Sequence, residues 1–277
     1  MVKLIIDSPA CASAEYVKEN NIKVVNLTVS LNGKTREEGF EETWNEFFTD
    51  LKNGDDFPKT SLPSPDSFLT AFEEVPETDD IVVITISKSL SGTYNAACVA
   101  RDLFKNPERV FVVDSNQCCQ SELLLIEEVV ELIKKGLSGK EVYEKALLIA
   151  TKTRIEFVPT TMEYLRRGGR ISLLSATFAS ILNIKPILSF KSGVLTCAKK
   201  CLGVGKALNE MVKNIPTNLK KIYVCYIHES DVLQTLISKV NTALNCNILE
   251  AKKIGPIVGS HIGIGAVGLA TLEEYEN

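Results

Sequence analysis

The chain has 277 residues, 45% of them hydrophobic and 24% charged, with a net charge of −4. That is enough for one large or two ordinary globular domains, and the acidic balance supplies no basic field for nucleic acid. No stretch approaches the roughly 20 apolar residues of a membrane span, and the opening MVKLIIDSPA is too short an apolar run for a secretory signal, so a cytoplasmic protein without stable membrane insertion is expected.

In chain order, 2–7, 23–31, 80–87 and 109–115 are β-branched, nearly continuous apolar runs, the pattern of buried parallel strands. LNGKT at 31–35 reads as an Asn-Gly hairpin turn. Ser64 and Pro65 form an N-cap and first-turn pair before a helix. The helix over 121–136 ends on a C′ glycine, Gly136, and SGKE at 138–141 is a capping box opening the next. Beyond about residue 155 the spacing predicts a helix over 160–169, an apolar segment over 171–188 and a short strand pair near 193–201. A strand over 221–228 and a helix from Ser230 follow, then a glycine-punctuated loop over 255–272 closing into a strand. The fold class is α/β, with a largely parallel sheet in a first domain, 1–155, and a second α/β domain, 156–277; the boundary falls near 150–158.

The eight cysteines include no C-x-x-C, and Cys118–Cys119 is a vicinal pair that does not bridge easily, so reduced, structural thiols and no metal site are expected. Gly33-Lys34-Thr35 lacks the upstream glycine of a phosphate-binding loop, Thr28 standing there, and no G-x-G-x-x-G follows the first strand. The turn SLSGT at 89–93 is not a nucleophile elbow. It does crowd Ser87, Ser89, Ser91 and Thr93 around Gly92 between a strand and a helix, where hydroxyls and free N–H groups suit an anion. Of the two histidines, His228 ends a strand and reads as structural; His261 lies among Gly259, Gly263 and Gly265, which let backbone approach a ligand closely. Thr60 and Ser61 sit in an extended turn, and Arg170 follows two glycines where its guanidinium can turn inward. The bland readings of these three are turn formation and a solvated charge.

Taken in order, TSLPSP, SKSLSGTY, VVDS, EYLRRGGRI, LNIKPIL and HIGIGAVG resemble the DegV family along essentially the whole chain. The resemblance implies two α/β domains with one acyl chain in a tunnel between them. It implies a fatty-acid-binding protein and not an enzyme, with no cofactor and a bound long-chain fatty acid such as palmitate. It also implies a fatty acid kinase as partner, which phosphorylates the presented carboxylate. Thr60 and Ser91 match the residues that hydrogen-bond the carboxylate. Arg170 and His261 match head-group neighbours, with Ser61, Gly92 and Thr93 close by. The chain departs from the pattern in its first loop, Asp7-Ser8-Pro9-Ala10-Cys11, at Ser121-Glu122-Leu123, and at Ile262 and Ile264.

A neutral hydroxyl cluster is enough for such a ligand. Burying about 14 methylenes at about 0.8 kcal/mol each is worth about 11 kcal/mol gross. Association costs of about 4–15 kcal/mol offset much of it, and each charge-assisted hydrogen bond adds roughly 1.5–3 kcal/mol. The tail supplies affinity, the hydroxyls fix its direction, and the tunnel wall is expected from 173–188 and from the core faces of both halves. Two other readings stand beside this one: a hydrolase or other enzyme on a small acid or acyl ester using His261 and Ser91, and a lipid-dependent sensor.

Overall fold

A computed structural model of the chain describes residues 1–54, 56–173, 184–246 and 251–276. The first half runs β1 (Val2–Asp7), α1 (Ala14–Glu19), β2 (Lys23–Val25), β3 (Thr28–Leu31), β4 (Lys34–Glu37), α2 (Trp44–Asn53), β5 (Lys59–Ser61), α3 (Pro65–Glu73), β6 (Asp80–Thr85), α4 (Thr93–Leu103), β7 (Val110–Asp114), α5 (Cys119–Lys134) and α6 (Gly139–Ala150). Then come β8 (Thr153–Val158), α7 (Glu163–Arg167), β9 (Ile184–Lys191), β10 (Val194–Leu202), α8 (Val204–Lys213), β11 (Leu219–Tyr226), α9 (Asp231–Leu244), β12 (Ala251–Lys253), α10 (Pro256–Ile262) and β13 (Val267–Glu273).

The expected parallel sheet is present, in the order β2-β1-β6-β7. Its strands are apolar throughout because both faces are covered, and successive residues point to opposite faces. Ile5, Ile81 and Val83 pack with Phe68 and Phe72 of α3 and Ala97 of α4. Leu4, Ile6, Val82 and Ile84 pack with Leu124 and Ile126 of α5 and Ile149 of α6. The second sheet, β10-β9-β8-β13-β11-β12, is antiparallel except for the β11–β12 pair. Its outer face carries α8 and α9 through Leu208, Met211, Leu233 and Leu236. Its inner face, with Ile155, Leu188 and Tyr223, joins the same core as α5. Helix α5 therefore lies between the two sheets.

The local signals hold. Ser64 Oγ accepts the Ser67 N–H, Ser138 and Glu141 cap each other, Gly136 follows α5 at φ +82°, and Asn32 and Gly33 turn the β3–β4 hairpin at φ +51° and +73°. Four expectations change. The run 23–31 is two strands: β2 stays in the parallel sheet, while β3 joins β4 and β5 in a separate antiparallel sheet. At the break the Leu27 N–H goes to Ser8 Oγ at 3.0 Å instead of to a ladder. The helix expected over 160–169 is the shorter α7, followed by a 3₁₀ turn at Arg170–Leu173. The pair near 193–201 is the longer hairpin of β9 and β10, turning at Ser192 and Gly193.

The glycine-punctuated stretch from 255 is in part a helix, α10, with Gly255 as N-cap, Pro256 in its first turn and Gly263, at φ +79°, ending it. Gly259 inside it is a packing glycine, since a Cβ there would come within 2.9 Å of the Phe48 ring on α2. Of the wall expected over 173–188, residues 174–183 lie outside the described residues. Among the described residues no helix is long and apolar enough to cross a membrane.

The reciprocal cap on α6 gives a direct test. Ser138→Ala is expected to lower stability by about 1 kcal/mol, read as a lower urea midpoint at unchanged slope.

Candidate functional site

A cavity of about 330 Å³ opens beside the carboxyl ends of β1 and β6, where the strand order of the parallel sheet reverses direction. Leu27, Ile86, Ile155, Phe157, Leu195 and Ile257 give it an apolar wall, to which the thiols of Cys118 and Cys119 at the start of α5 also contribute. Thr60, Ser61, Ser91, Arg170 and His261 line it too, along with the half-exposed Leu62. The structure thus brings together five of the seven residues singled out in the sequence.

Thr60 and Ser61 share one strand, and the other three come from separate segments. Strand β5 pairs Thr60 with Val29 and turns its side chain inward, with Lys59 and Ser61 more exposed on either side. Helix α10 carries His261, whose Nε2 meets Thr60 Oγ1 at 2.9 Å. Ser91 Oγ lies 2.8 Å from Thr93 Oγ1, the first residue of α4. Thr93 is fully buried and, with Gly92, stands behind Ser91 and off the cavity surface; a Cβ on Gly92 would press within 3.2 Å of Leu62. Arg170 does turn inward: Nε and Nη2 donate to the Leu90 carbonyl at 3.1 and 3.0 Å, and Nη1 to that of Gly168 at 2.6 Å. His228 is exposed and does not line the cavity.

The loop bearing Ser91 is held from several sides. Ile86 N–H donates to Asp7 Oδ2 at 2.9 Å, Ser87 Oγ to the Gly193 carbonyl at 2.7 Å, and Lys88 N–H to Asp114 Oδ1 at 3.3 Å. The motif VVDS earns its aspartate here. Asp7, Ser8, Glu38 and Gly168 also bear on the site, through contacts that only the fold brings about. For Asp7 and Asp114 a signal existed, an acidic residue ending an apolar strand; for Glu38 and Gly168 there was none.

Electrostatically the site is spare. Burial and then the Arg170 charge push the His261 pKa down to about 4, so the imidazole is neutral at pH 7. Among the described residues its Nδ1 has no partner, and it faces Gly168, where a Cβ would lie 2.2 Å away. One guanidinium, hydroxyls and a neutral imidazole in an otherwise apolar cavity suit an anion with a long apolar body. Among the described residues no group of three or more His, Cys, Asp or Glu is placed to hold a metal ion.

Comparison with known proteins agrees with this architecture. A DegV domain-containing protein of Clostridium perfringens is 30% identical, over 99% of this chain and 99% of its own. The fold is that of a DegV family protein from Thermus thermophilus, described for its fatty acid binding, at 29% identity and a TM-score of 0.86, covering 99% of both chains. It is also that of a Streptococcus pneumoniae fatty acid kinase B3 protein loaded with linoleic acid, at 23% identity and a TM-score of 0.82, covering 99% of this chain and 100% of the other. The family model described as "Uncharacterised protein, DegV family" matches residues 1–274, and the chain belongs to the DegV family.

Proposed function

We propose that the protein binds a long-chain fatty acid, with its carboxylate on Thr60 and Ser91 and its tail in the cavity, and presents it to a fatty acid kinase. The observation that carries this reading is the convergence of Thr60, Ser61, Ser91, Arg170 and His261 on an otherwise apolar cavity within the size range of ligand sites. The Thermus relative's fatty acid binding supports it. The tail would lie where two α/β halves, 1–155 and 156–277, meet. Among the described lining residues Arg170 supplies the single positive charge, and Ser61 lines the cavity beside Thr60. Gly92 and Thr93 set the position of Ser91.

Thr60 can donate to a carboxylate only if its own proton is free. The neutral imidazole meets that need with the proton on Nε2, donating to Thr60 Oγ1 and leaving the hydroxyl hydrogen for the ligand. The same contacts count against a hydrolase. That chemistry needs Ser91 next to an imidazole base, whereas Nε2 is engaged by Thr60 and Ser91 by Thr93.

Native mass spectrometry of the purified protein should show a co-purifying long-chain acid; an empty protein that cleaves an acyl ester would favour the hydrolase. Replacing Thr60 and Ser91 together by Ala should weaken acid binding by roughly 1.5–3 kcal/mol per hydroxyl, with little change for the methyl ester. Equal losses for acid and ester in calorimetry would remove the carboxylate assignment. Gly168→Ala, at an ordinary backbone φ of −74°, should displace His261 and weaken acid binding while leaving the melting temperature nearly unchanged. The partner claim is checked by reconstitution with a fatty acid kinase and ATP: acyl phosphate should form only when both proteins are present.

A further inference from the structure

The apolar wall of the cavity is pegged from behind by polar groups that do not line it. Asp7 Oδ2 accepts the Ile86 N–H at 2.9 Å, Glu38 Oε1 that of Ile257 at 2.8 Å, and Ser8 Oγ that of Leu27 at 3.0 Å. Ile86, Ile257 and Leu27 are all wall residues. Cys11 Sγ accepts the Gly255 N–H at 3.3 Å, at the N-cap of α10.

Glu122, one turn into α5, completes the arrangement. Asp7, Glu38 and Glu122 are 0%, 1% and 0% exposed. The Asp7 and Glu122 carboxyls lie close enough to act on one another, yet among the described residues Asp7 Oδ1 and both Glu122 oxygens have no donor. Carboxyl oxygens buried without donors are held at least cost when protonated, so a proton on this pair suits its surroundings. Among the described residues Glu38 Oε2 has no hydrogen-bond partner, although the nearby Ser8 hydroxyl offsets part of the effect of its burial. The titratable groups that act on this cluster come from every side: Asp7 from β1, Glu38 from the segment after β4, Cys11 from the first loop, and Cys118, Cys119 and Glu122 from α5. Cys11 and Cys118 act in turn on Cys225 of β11. None of these is a cation.

We propose that Asp7, Glu38 and Glu122 are positioning residues for the acyl tail, and that the cavity takes the tail more tightly when they are protonated than when they ionise. The inference rests on the fatty acid reading. Burial raises Asp7 to about 7 and Glu38 to about 8, and it pushes Glu122 well above the usual carboxylate range. An ionised carboxylate one peptide behind the wall is tolerated best while water occupies the cavity. The tail expels that water, so the filled state disfavours the charge more than the empty one. By linkage the protonated form binds better, and affinity falls as pH rises through 7 to 8. His261 is neutral throughout this window.

The test uses the full chain, cis-parinaric acid as a fluorescent probe, and hexadecanol as a competitor whose head group does not titrate. Affinity for both should fall about fivefold or more from pH 6 to pH 9. The triple change Asp7→Asn, Glu38→Gln and Glu122→Gln, which keeps the acceptors but not the charges, should abolish that fall. Equal hexadecanol affinity at the two pH values, or a fall that survives the triple change, overturns the proposal. Should the triple variant not melt cooperatively, Glu122→Gln alone decides. An amide there donates to Asp7 and favours its carboxylate, so the midpoint of the fall must move to lower pH, and an unmoved midpoint overturns the proposal. A wild-type protein that binds neither probe at pH 6 overturns the fatty acid reading itself.

Discussion

The architecture depends on the burial of α5. Leu123, Leu124, Leu125, Ile126, Val129, Val130 and Leu132 are all buried, which covers most of the helix circumference. A helix apolar on that many sides has no stable place at a surface. It must lie between two layers, each buried side chain contributing about 1.5–3 kcal/mol of transfer free energy as an upper estimate. The parallel sheet supplies one layer and the inner face of the six-stranded sheet the other. Once α5 is sandwiched, its first turn is carried to the same place as the carboxyl ends of β1 and β6, and Cys118 and Cys119 become part of the cavity wall.

Around that axis, loops from distant parts of the chain are locked to one another. Gly193 at the tip of the β9–β10 hairpin adopts φ +76°, and a Cβ there would lie 2.5 Å from Asn116 Oδ1 and 3.0 Å from Ser87 Oγ. The hairpin tip can therefore sit directly on the loop that presents Ser91. Arg170 reaches across to the Leu90 carbonyl of the same loop. Asn116 and Cys119 themselves hold φ of +54° and +51°, conformations that non-glycine residues keep only where their surroundings enforce them. A binding site assembled this way is rigid before any ligand arrives, which lowers the ordering cost of binding.

The same packing explains how a protein of net charge −4 can offer a place to an anion. No broad positive field is involved. One guanidinium, partly spent on backbone carbonyls, and a few hydroxyls face an apolar volume, and the nearby imidazole is kept neutral by burial and by that guanidinium. Behind the apolar wall the chain has buried three carboxyl groups, a costly choice unless they stay protonated or find partners. Charge is thus kept low around the cavity, an environment suited to an apolar ligand.

Much of this was legible in the residues alone. The strands of the parallel sheet, the Ser64 and Ser138 caps, the Asn32-Gly33 turn and the hydroxyl-rich joint at Ser91 are encoded by neighbours within a few positions, and local backbone energetics reads them directly. Motif order singled out Thr60, Ser91, Arg170 and His261 as members of one site. What the chain order did not disclose are contacts between residues far apart: the Thr60–His261 hydrogen bond spans 201 positions, and Glu38 meets Ile257 across 219. Nor did it show that 23–31 divides between two sheets, or that His261 rides on a helix. Those outcomes turn on which backbone donors Ser8 and Glu38 capture once the layers close. Periodicity says which face of an element is apolar; only packing decides what that face meets, what is buried behind it, and which buried groups must carry a proton.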